Sequence, residues 1–326
     1  MTRNSLKFKF FCVTIGLMNE PFSPCTRALV ARFQRQRPVR SGSLLVTLLG
    51  DAIAPRGGVI TLGSLIRLAA PFGIPERLVR TSVGRLAKDG WLSARREGRQ
   101  SEYVLTGHGR SRFAEATERI YSQGPQSWDG EWTLLLLPPG PRAKREHVRA
   151  EMQWLGFGQI SPGVLAHPSR SVADTRSQLA ELRIDGGVVV MRAASEGAAD
   201  GRLLLETGWD LAELGRSYQR FVTSFAPTLA LLASRAVPTP ETAFVIRTLL
   251  IHEYRKIHLR DPMLPASLLP KDWIGATAYE LCRDLYRQVF ALAEQHVTGS
   301  AESLAGALTS PAKETYLRFG GLNSVA

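Results

Sequence analysis

The sequence predicts an α+β multidomain protein: an N-terminal winged helix-turn-helix, a central ferredoxin-like α+β domain and a C-terminal, mostly helical domain. Three observations carry that prediction. Residues 74–105 pattern as a two-faced helix followed by a basic β-hairpin. The stretch from Trp128 alternates strand and helix signals over about 75 residues. From Trp209 onward the pattern is helical and is interrupted mainly by prolines.

The two-faced helix comes first because its chemistry is the most specific. With Arg77 set at zero and 100° per residue, Arg80, Thr81, Gly84, Arg85 and Lys88 fall between about −60° and +80°. Val79, Val83, Leu86 and Ala87 fall on the opposite side, between about 180° and 280°. One face is apolar and suits a domain core. The other is cationic around a bare glycine, where a duplex can come close. Arginine donates two hydrogen bonds to a guanine edge, and Arg, Lys and Thr hold phosphates. Pro75 suits the first turn and Asp89-Gly90 ends the helix. Then Trp91 to Arg95 and Ser101 to Leu105 flank a Glu97-Gly98 turn, with Arg95, Arg96 and Arg99 near the tip. A basic tip beside such a helix reaches backbone phosphates or the adjacent minor groove. The predicted DNA-binding set is Arg77, Arg80, Thr81, Arg85, Lys88, Arg95, Arg96, Arg99 and Ser101. A charged helix face alone is more often a solvated surface. The preceding elements change the balance: an apolar helix over Ser43–Ile53 and a second from Thr61 to Ala69, ending in the Pro71-Phe72-Gly73 turn, make three helices and a wing.

Charge distribution points the same way. Of the 326 residues, 41 are Lys or Arg and 29 Asp or Glu, a net charge of +12. Residues 1–121 hold 20 of the basic residues and 8 of the acidic ones, so the whole excess lies in the segment containing the proposed reader. A polyanion partner explains that asymmetry. Cys12, Cys25 and Cys282 lack metal spacing and are too few for a disulfide framework, which fits a reducing cytoplasm. No run approaches the length of a membrane span. Lys7, Lys9 and the apolar run Phe10–Met18 mimic a signal peptide, but no small-residue cleavage site follows.

The expected boundaries are a disordered leader over 1–38, the DNA-binding domain over 39–124, and the central domain over 125–200. A helical effector and dimerisation domain follows over 201–310, and a tail over 311–326. Gln123-Gly124-Pro125-Gln126-Ser127 marks the first linker. Strands are expected over 133–137, 159–166 and 188–192, with helices over 142–155 and 174–182. Beyond these, helices are expected over 210–225, 228–233, 241–257 and 276–297. Pro262, Pro265 and Pro270 exclude an α-helix between the last two.

The chain resembles the PaaX-type transcriptional repressors, which control phenylacetic acid degradation in bacteria. The resemblance covers roughly residues 40–300. It is carried by Arg80-Thr81-Ser82-Val83-Gly84-Arg85-Leu86 with Gly90-Trp91-Leu92, and by Gly98-Arg99-Gln100-Ser101-Glu102-Tyr103-Val104-Leu105-Thr106. Trp128-Asp129-Gly130-Glu131-Trp132 and the block from Ile251-His252-Glu253-Tyr254 through Asp261-Pro262 to Trp273 complete it. It implies a homodimeric, cytoplasmic, nucleoid-associated repressor on an inverted-repeat operator, with no resident cofactor. It further implies release from double-stranded DNA by an acyl-CoA effector, phenylacetyl-CoA or a related aryl-CoA thioester. Arg255, His258, Arg260 and Trp273, beside the proline-rich connector, are the candidate effector residues; equally, Arg255 and Arg260 pair with Glu253, Asp261 or Asp272 to hold that connector.

No nucleophile elbow, phosphate-cradling glycine loop or zinc-helix motif occurs, so no catalytic or metal residue is expected. Asp129 and Glu131 are better explained as a turn between packing tryptophans than as metal ligands. His252 and His258, six apart, do not share a helix face and read as surface or capping groups. A metal-dependent DNA-processing enzyme using the central domain and a non-switching DNA binder are the competing readings.

Overall fold

Residues 21–36, 41–98, 100–123, 127–184, 187–195 and 198–322 are described by a computed structural model, and they fall into two units. The first is formed by the described residues of Met1–Ser122, Phe221–Arg255 and Tyr279–Ala326. The second is formed by those of Gln123–Arg220 and Lys256–Ala278.

The first unit opens with helix α1, Ser23–Arg35. Part of the expected disordered leader is therefore folded, because Phe22, Leu29 and Phe33 are buried and Phe33 meets the His252 ring edge-on at 5.5 Å. Residues 1–20 and 37–40 lie outside the described residues. Helix α2, Ser41–Leu48, runs on through a π-helical turn, Leu49–Ile53, and a 3₁₀ turn, Ala54–Arg56. Strand β1, Val59–Thr61, follows Gly57 and Gly58, both at positive φ. Helix α3, Leu62–Ala69, is capped by Thr61, whose Oγ1 accepts from Ser64 N at 3.2 Å, an interaction worth about 1 kcal/mol. A 3₁₀ turn, Ala70–Phe72, and Gly73 in the left-handed region lead into α4, Glu76–Lys88. Strands β2, Leu92–Glu97, and β3, Gln100–Leu105, form the hairpin, and α5, Gly107–Tyr121, is capped by Thr106. The three strands make an antiparallel sheet in the order β1-β3-β2. Strand β1 carries no strand signal of its own, being only three residues long, and takes its register from β3.

In the second unit, β4 is Glu131–Leu136, α6 is Arg142–Trp154, β5 is Gly158–Ser161 and β6 is Val164–His167. Helix α7, Val172–Glu181, and strand β7, Val189–Ala194, complete a βαββαβ order with an antiparallel sheet β5-β6-β4-β7. That is the ferredoxin-like arrangement. The single strand expected over 159–166 is a hairpin, because Pro162-Gly163 turns the chain with Gly163 at φ 84°. Leu135, Leu165 and Val190 pack one face of the sheet against Met152, Val148 and Leu179 of the two helices. Trp132 and Ala166 of the other face pack with Leu205 of α8, Ala198–Gly208, a helix without a strong amphipathic signal in the sequence. Gly158 leaves room for Trp209, whose Nε1 donates to Gly156 O at 3.0 Å.

The remaining helices are α9, Leu211–Ala233, α10, Pro240–His258, and α11, Ile274–Ser300. The break expected near residue 227 does not occur. Proline inside a helix costs about 3 kcal/mol, and burial of Phe221, Phe225 and Thr228 along α9 offsets it. A two-residue hairpin follows, β8, Glu302–Ser303, with β9, Gly306–Ala307, and then a 3₁₀ segment, Lys313–Gly320. Of the expected tail over 311–326, the described residues reach into the first unit's core, since Arg318 and Phe319 are buried, and residues 323–326 lie outside the described residues. Among the described residues, no helix is long and apolar enough to cross a membrane.

Candidate nucleic-acid interface

Helix α4 sorts its residues as the 100° projection requires. Val79, Ser82 and Val83 are buried, while Arg77, Arg80, Thr81, Gly84, Arg85 and Lys88 are all exposed on the other side. Burying each valine contributes about 1.5–3 kcal/mol, and Ser82 Oγ meets Ser41 Oγ of α2 at 3.3 Å. The helix is therefore fixed by one side and free on the other. A Cβ placed on Gly84 would meet nothing within 4 Å, so the centre of the cationic face is open. Glu76 Oε1 accepts from Arg80 Nε at 2.8 Å and lies 2.6 Å from Nη2, an exposed i,i+4 pair. Thr81 Oγ1 donates back to Arg77 O at 2.8 Å.

The hairpin register pairs Arg95 with Glu102, Arg96 with Ser101 and Glu97 with Gln100. Side chains alternate across a strand, so Arg96 shares its face with half-buried Ser101, and Arg95 shares the other with Glu102. Arg95 and Arg96 are exposed. Glu102 is buried and accepts from Leu304 N at 2.7 Å, which anchors the base of the hairpin. Gly98 turns the chain at φ 56°, and Arg99 lies outside the described residues. Eight of the nine expected DNA-binding residues are thus described, on α4 and the adjoining hairpin.

The effector residues expected from the sequence are divided between the units, Arg255 in the first and His258, Arg260 and Trp273 in the second. Arg255 is half-buried, with Nε donating to Thr47 Oγ1 at 2.7 Å and Nη2 to Ser43 O and Oγ at 2.7 and 2.8 Å. Burial pulls its guanidinium down to about 10. These donors go to α2, and Glu253 also acts on the guanidinium. His258 and Trp273 both meet Tyr218 in the second unit. Tyr218 Oη lies 3.0 Å from His258 Nδ1 and donates to Asp261 Oδ2 at 2.6 Å, and the Trp273 ring meets Tyr218 edge-on at 6.2 Å. Arg260 Nε donates to Lys256 O at 2.8 Å on the surface. His252 and His258 are buried rather than superficial: Thr47 Oγ1 lies 3.1 Å from His252 Nδ1.

Asp129 and Glu131 serve the turn they occupy. Asp129 Oδ1 accepts from Glu131 N at 3.0 Å, Gly130 sits at φ 86°, and Glu131 pairs with Arg192 at 2.8 Å. Trp128 and Trp132 pack edge-on at 5.4 Å.

Sequence reasoning missed a buried ionic network in the first unit. Asp51, in the π-helical turn, accepts at Oδ1 from Tyr121 Oη (2.6 Å), Tyr286 Oη (2.9 Å) and Arg318 Nη1 (3.0 Å). Arg247 Nε lies 2.9 Å from Asp51 Oδ2, an ion pair bent away from hydrogen-bond geometry. Arg247 Nη1 donates to Glu294 Oε1 at 2.6 Å, and Glu294 also pairs with Arg56. Burial alone would raise the Asp51 carboxyl, but Arg247 and Arg318 together with the two tyrosine hydroxyls hold it below the usual carboxylate range. The signal was present: Asp51 and Arg247 are single charges inside the apolar runs 44–53 and 243–251. Arg318, in the supposed tail, gave none.

Three family models match the chain. "PaaX-like protein" matches residues 40–109, the "PaaX protein central Cas2-like domain" 125–205 and the "PaaX-like protein C-terminal domain" 209–299. The transcriptional repressor PaaX of Escherichia coli (strain K12) is 40% identical over 290 residues, 88% of this chain and 92% of the relative. A solved structure, the uncharacterized protein Rv0674 from Mycobacterium tuberculosis, is 26% identical, covering 72% of this chain and 91% of its own, with a TM-score of 0.43. With its length matched by these models and by a relative of such identity, the chain belongs to the PaaX family.

Proposed function

We propose that this protein is a DNA-binding transcriptional repressor and not an enzyme, acting in the bacterial cytoplasm on the nucleoid. Its first unit reads DNA as a winged helix-turn-helix, with α2 and α3 as supports, α4 in the major groove and the β2–β3 hairpin as wing. The observation that carries this is the sorting of α4: six exposed positions, an open glycine among them and four of them cationic, opposite a buried apolar face. The repressor named in Escherichia coli, 40% identical, supports the regulatory role.

In the fuller reading, the protein represses an aromatic-acid operon of the phenylacetate type. It binds an inverted-repeat operator as a homodimer, the two recognition helices meeting major grooves about 34 Å apart or a multiple of that. An aryl-CoA thioester such as phenylacetyl-CoA binds better to a state with the helices mis-spaced, and weakens operator binding by that differential affinity. Selection of bound duplexes from a random library, with and without phenylacetyl-CoA, tests all three parts. An enriched inverted repeat that vanishes with the thioester is the expected result. Enrichment of a single half-site removes the dimer, enrichment indifferent to the thioester removes the effector, and no enrichment removes the reader.

A further inference from the structure

Glu76 is the one acid in α4, and it borders the face that meets DNA in the reading above. With Arg77 at zero it projects at about −100°, one turn before Arg80 at about −60°. A carboxylate in that position repels phosphates, so a DNA-binding face is better off without it unless it does something there.

Its geometry shows what it does. Glu76 Oε1 accepts from Arg80 Nε at 2.8 Å and lies 2.6 Å from Nη2, so it holds the guanidinium along one edge. A guanidinium is a rigid plane of five N–H donors, and fixing one edge fixes the others. The end-on edge, between Nη1 and Nη2, keeps two parallel donors, the pattern that meets O6 and N7 of guanine. The Arg80 and Glu76 side chains remain 57% and 56% exposed, so the held edge is within reach of a base. Gly84 lies one turn beyond Arg80 and is open where a Cβ would stand, which lets a duplex come close beside it. Of the four exposed cations on α4, Arg80 alone has a carboxylate partner among the described residues.

We infer that Glu76 is a positioning residue of the reader: it presents Arg80 end-on to guanine and so sets the base preference at one G·C pair. The inference rests on the DNA-reading function proposed above, to which it adds a source of sequence preference. A side chain fixed before DNA arrives loses less freedom on binding. The same carboxylate repels phosphates in every register, so Glu76 weakens non-specific binding while it sharpens the specific contact.

The test uses full-length protein, a duplex selected from a random library, its single-pair variants and random DNA. Arg80→Ala identifies the pair, where the preference for guanine is expected to fall roughly tenfold. Glu76→Ala is expected to reduce the preference at that same pair about threefold to tenfold and to raise affinity for random DNA about twofold. Glu76→Asp keeps the charge but is too short for the fork, so the preference falls with no gain on random DNA. Glu76→Gln keeps the reach and a carbonyl acceptor, so most of the preference returns while random DNA still binds more tightly. An exposed pair contributes little to stability, so all these variants keep the wild-type melting temperature.

If Glu76 merely supports the helix, Glu76→Asp behaves as wild type and Glu76→Ala weakens all sequences alike. Either result overturns the inference and leaves the reader standing, as does an Arg80→Ala protein that relaxes no pair. A wild type that selects no duplex overturns the reader, and the inference with it.

Discussion

Arginine does opposite work in two regions of the first unit. On α4, Arg77, Arg80 and Arg85 stand in solvent on a helix fixed by its other face. Around Asp51, Arg56, Arg247 and Arg318 are removed from solvent and engaged by carboxylates, carbonyls and hydroxyls. These exposed guanidiniums face solvent, where phosphates and base edges can reach them, with Arg80 also paired to Glu76, and they contribute little to folding, because exposed ion pairs are worth about 0–1 kcal/mol. The buried ones are held by neighbours whose loss leaves a charge uncompensated, a change that costs about 3–5 kcal/mol. Residue type alone does not separate a binding arginine from a structural one. The burial of the helix face that carries it does.

That contrast can be broken most directly at Asp51. Asp51→Ala is expected to remove about 3–5 kcal/mol of stability, read as a fall in the chemical denaturation midpoint, with DNA affinity at low temperature changed only as far as the protein unfolds. A stable Asp51→Ala protein would show that the network is peripheral. Acid sharpens the same point. Because the folded carboxyl lies below its ordinary value of 3.8, its contribution is fully present above that pH and is lost as pH falls below it. Stability of the wild type is expected to decline through that window more steeply than that of Asp51→Asn. Parallel acid limbs in the two proteins would remove Asp51 as the source.

On the exposed side the effects are smaller and fall on binding. Arg85→Ala is expected to cost about 1–3 kcal/mol on a selected duplex, less on random DNA, and to leave the melting temperature in place. Equal losses on both DNAs would demote Arg85 from a base reader to a phosphate contact. Arg96→Ala is expected to weaken all sequences alike and to flatten the salt dependence of log K by about 0.9. The smallest effect is at Gly84, where a Cβ meets nothing. Gly84→Ala should stabilise the helix by up to about 1 kcal/mol while weakening DNA binding, and improved DNA affinity would show that the duplex keeps its distance from α4.

The sequence was most legible where a period is long and one-sided. Thirteen residues of α4 repeat the 3.6-residue pattern with no exception on the exposed face. It was least legible where an element depends on a distant partner. β1 exists because β3 pairs with it, and Pro227 is tolerated because Phe221 and Phe225 are buried along the same helix. Helix α1 was hidden by its polar composition, since only Phe22, Leu29 and Phe33 tie it down strongly. At the candidate site, the arginines of α4 were legible because exposure follows from periodicity. Arg255 was not, because Ser43 and Thr47, which it holds, are more than two hundred residues away in sequence.

That long-range hold bears on how the protein can be divided. Residues 1–122 look like a portable DNA-reading cassette, yet α2 is pinned by Arg255, Asp51 by Arg247 and Arg318, and Glu102 by Leu304. A fragment ending at residue 122 would carry a buried aspartate and a buried glutamate stripped of these partners. Chimeras that graft another regulatory half onto it should fail as proteins before they fail as repressors, and a transplantable reader has to bring 221–255 and 279–322 along with it.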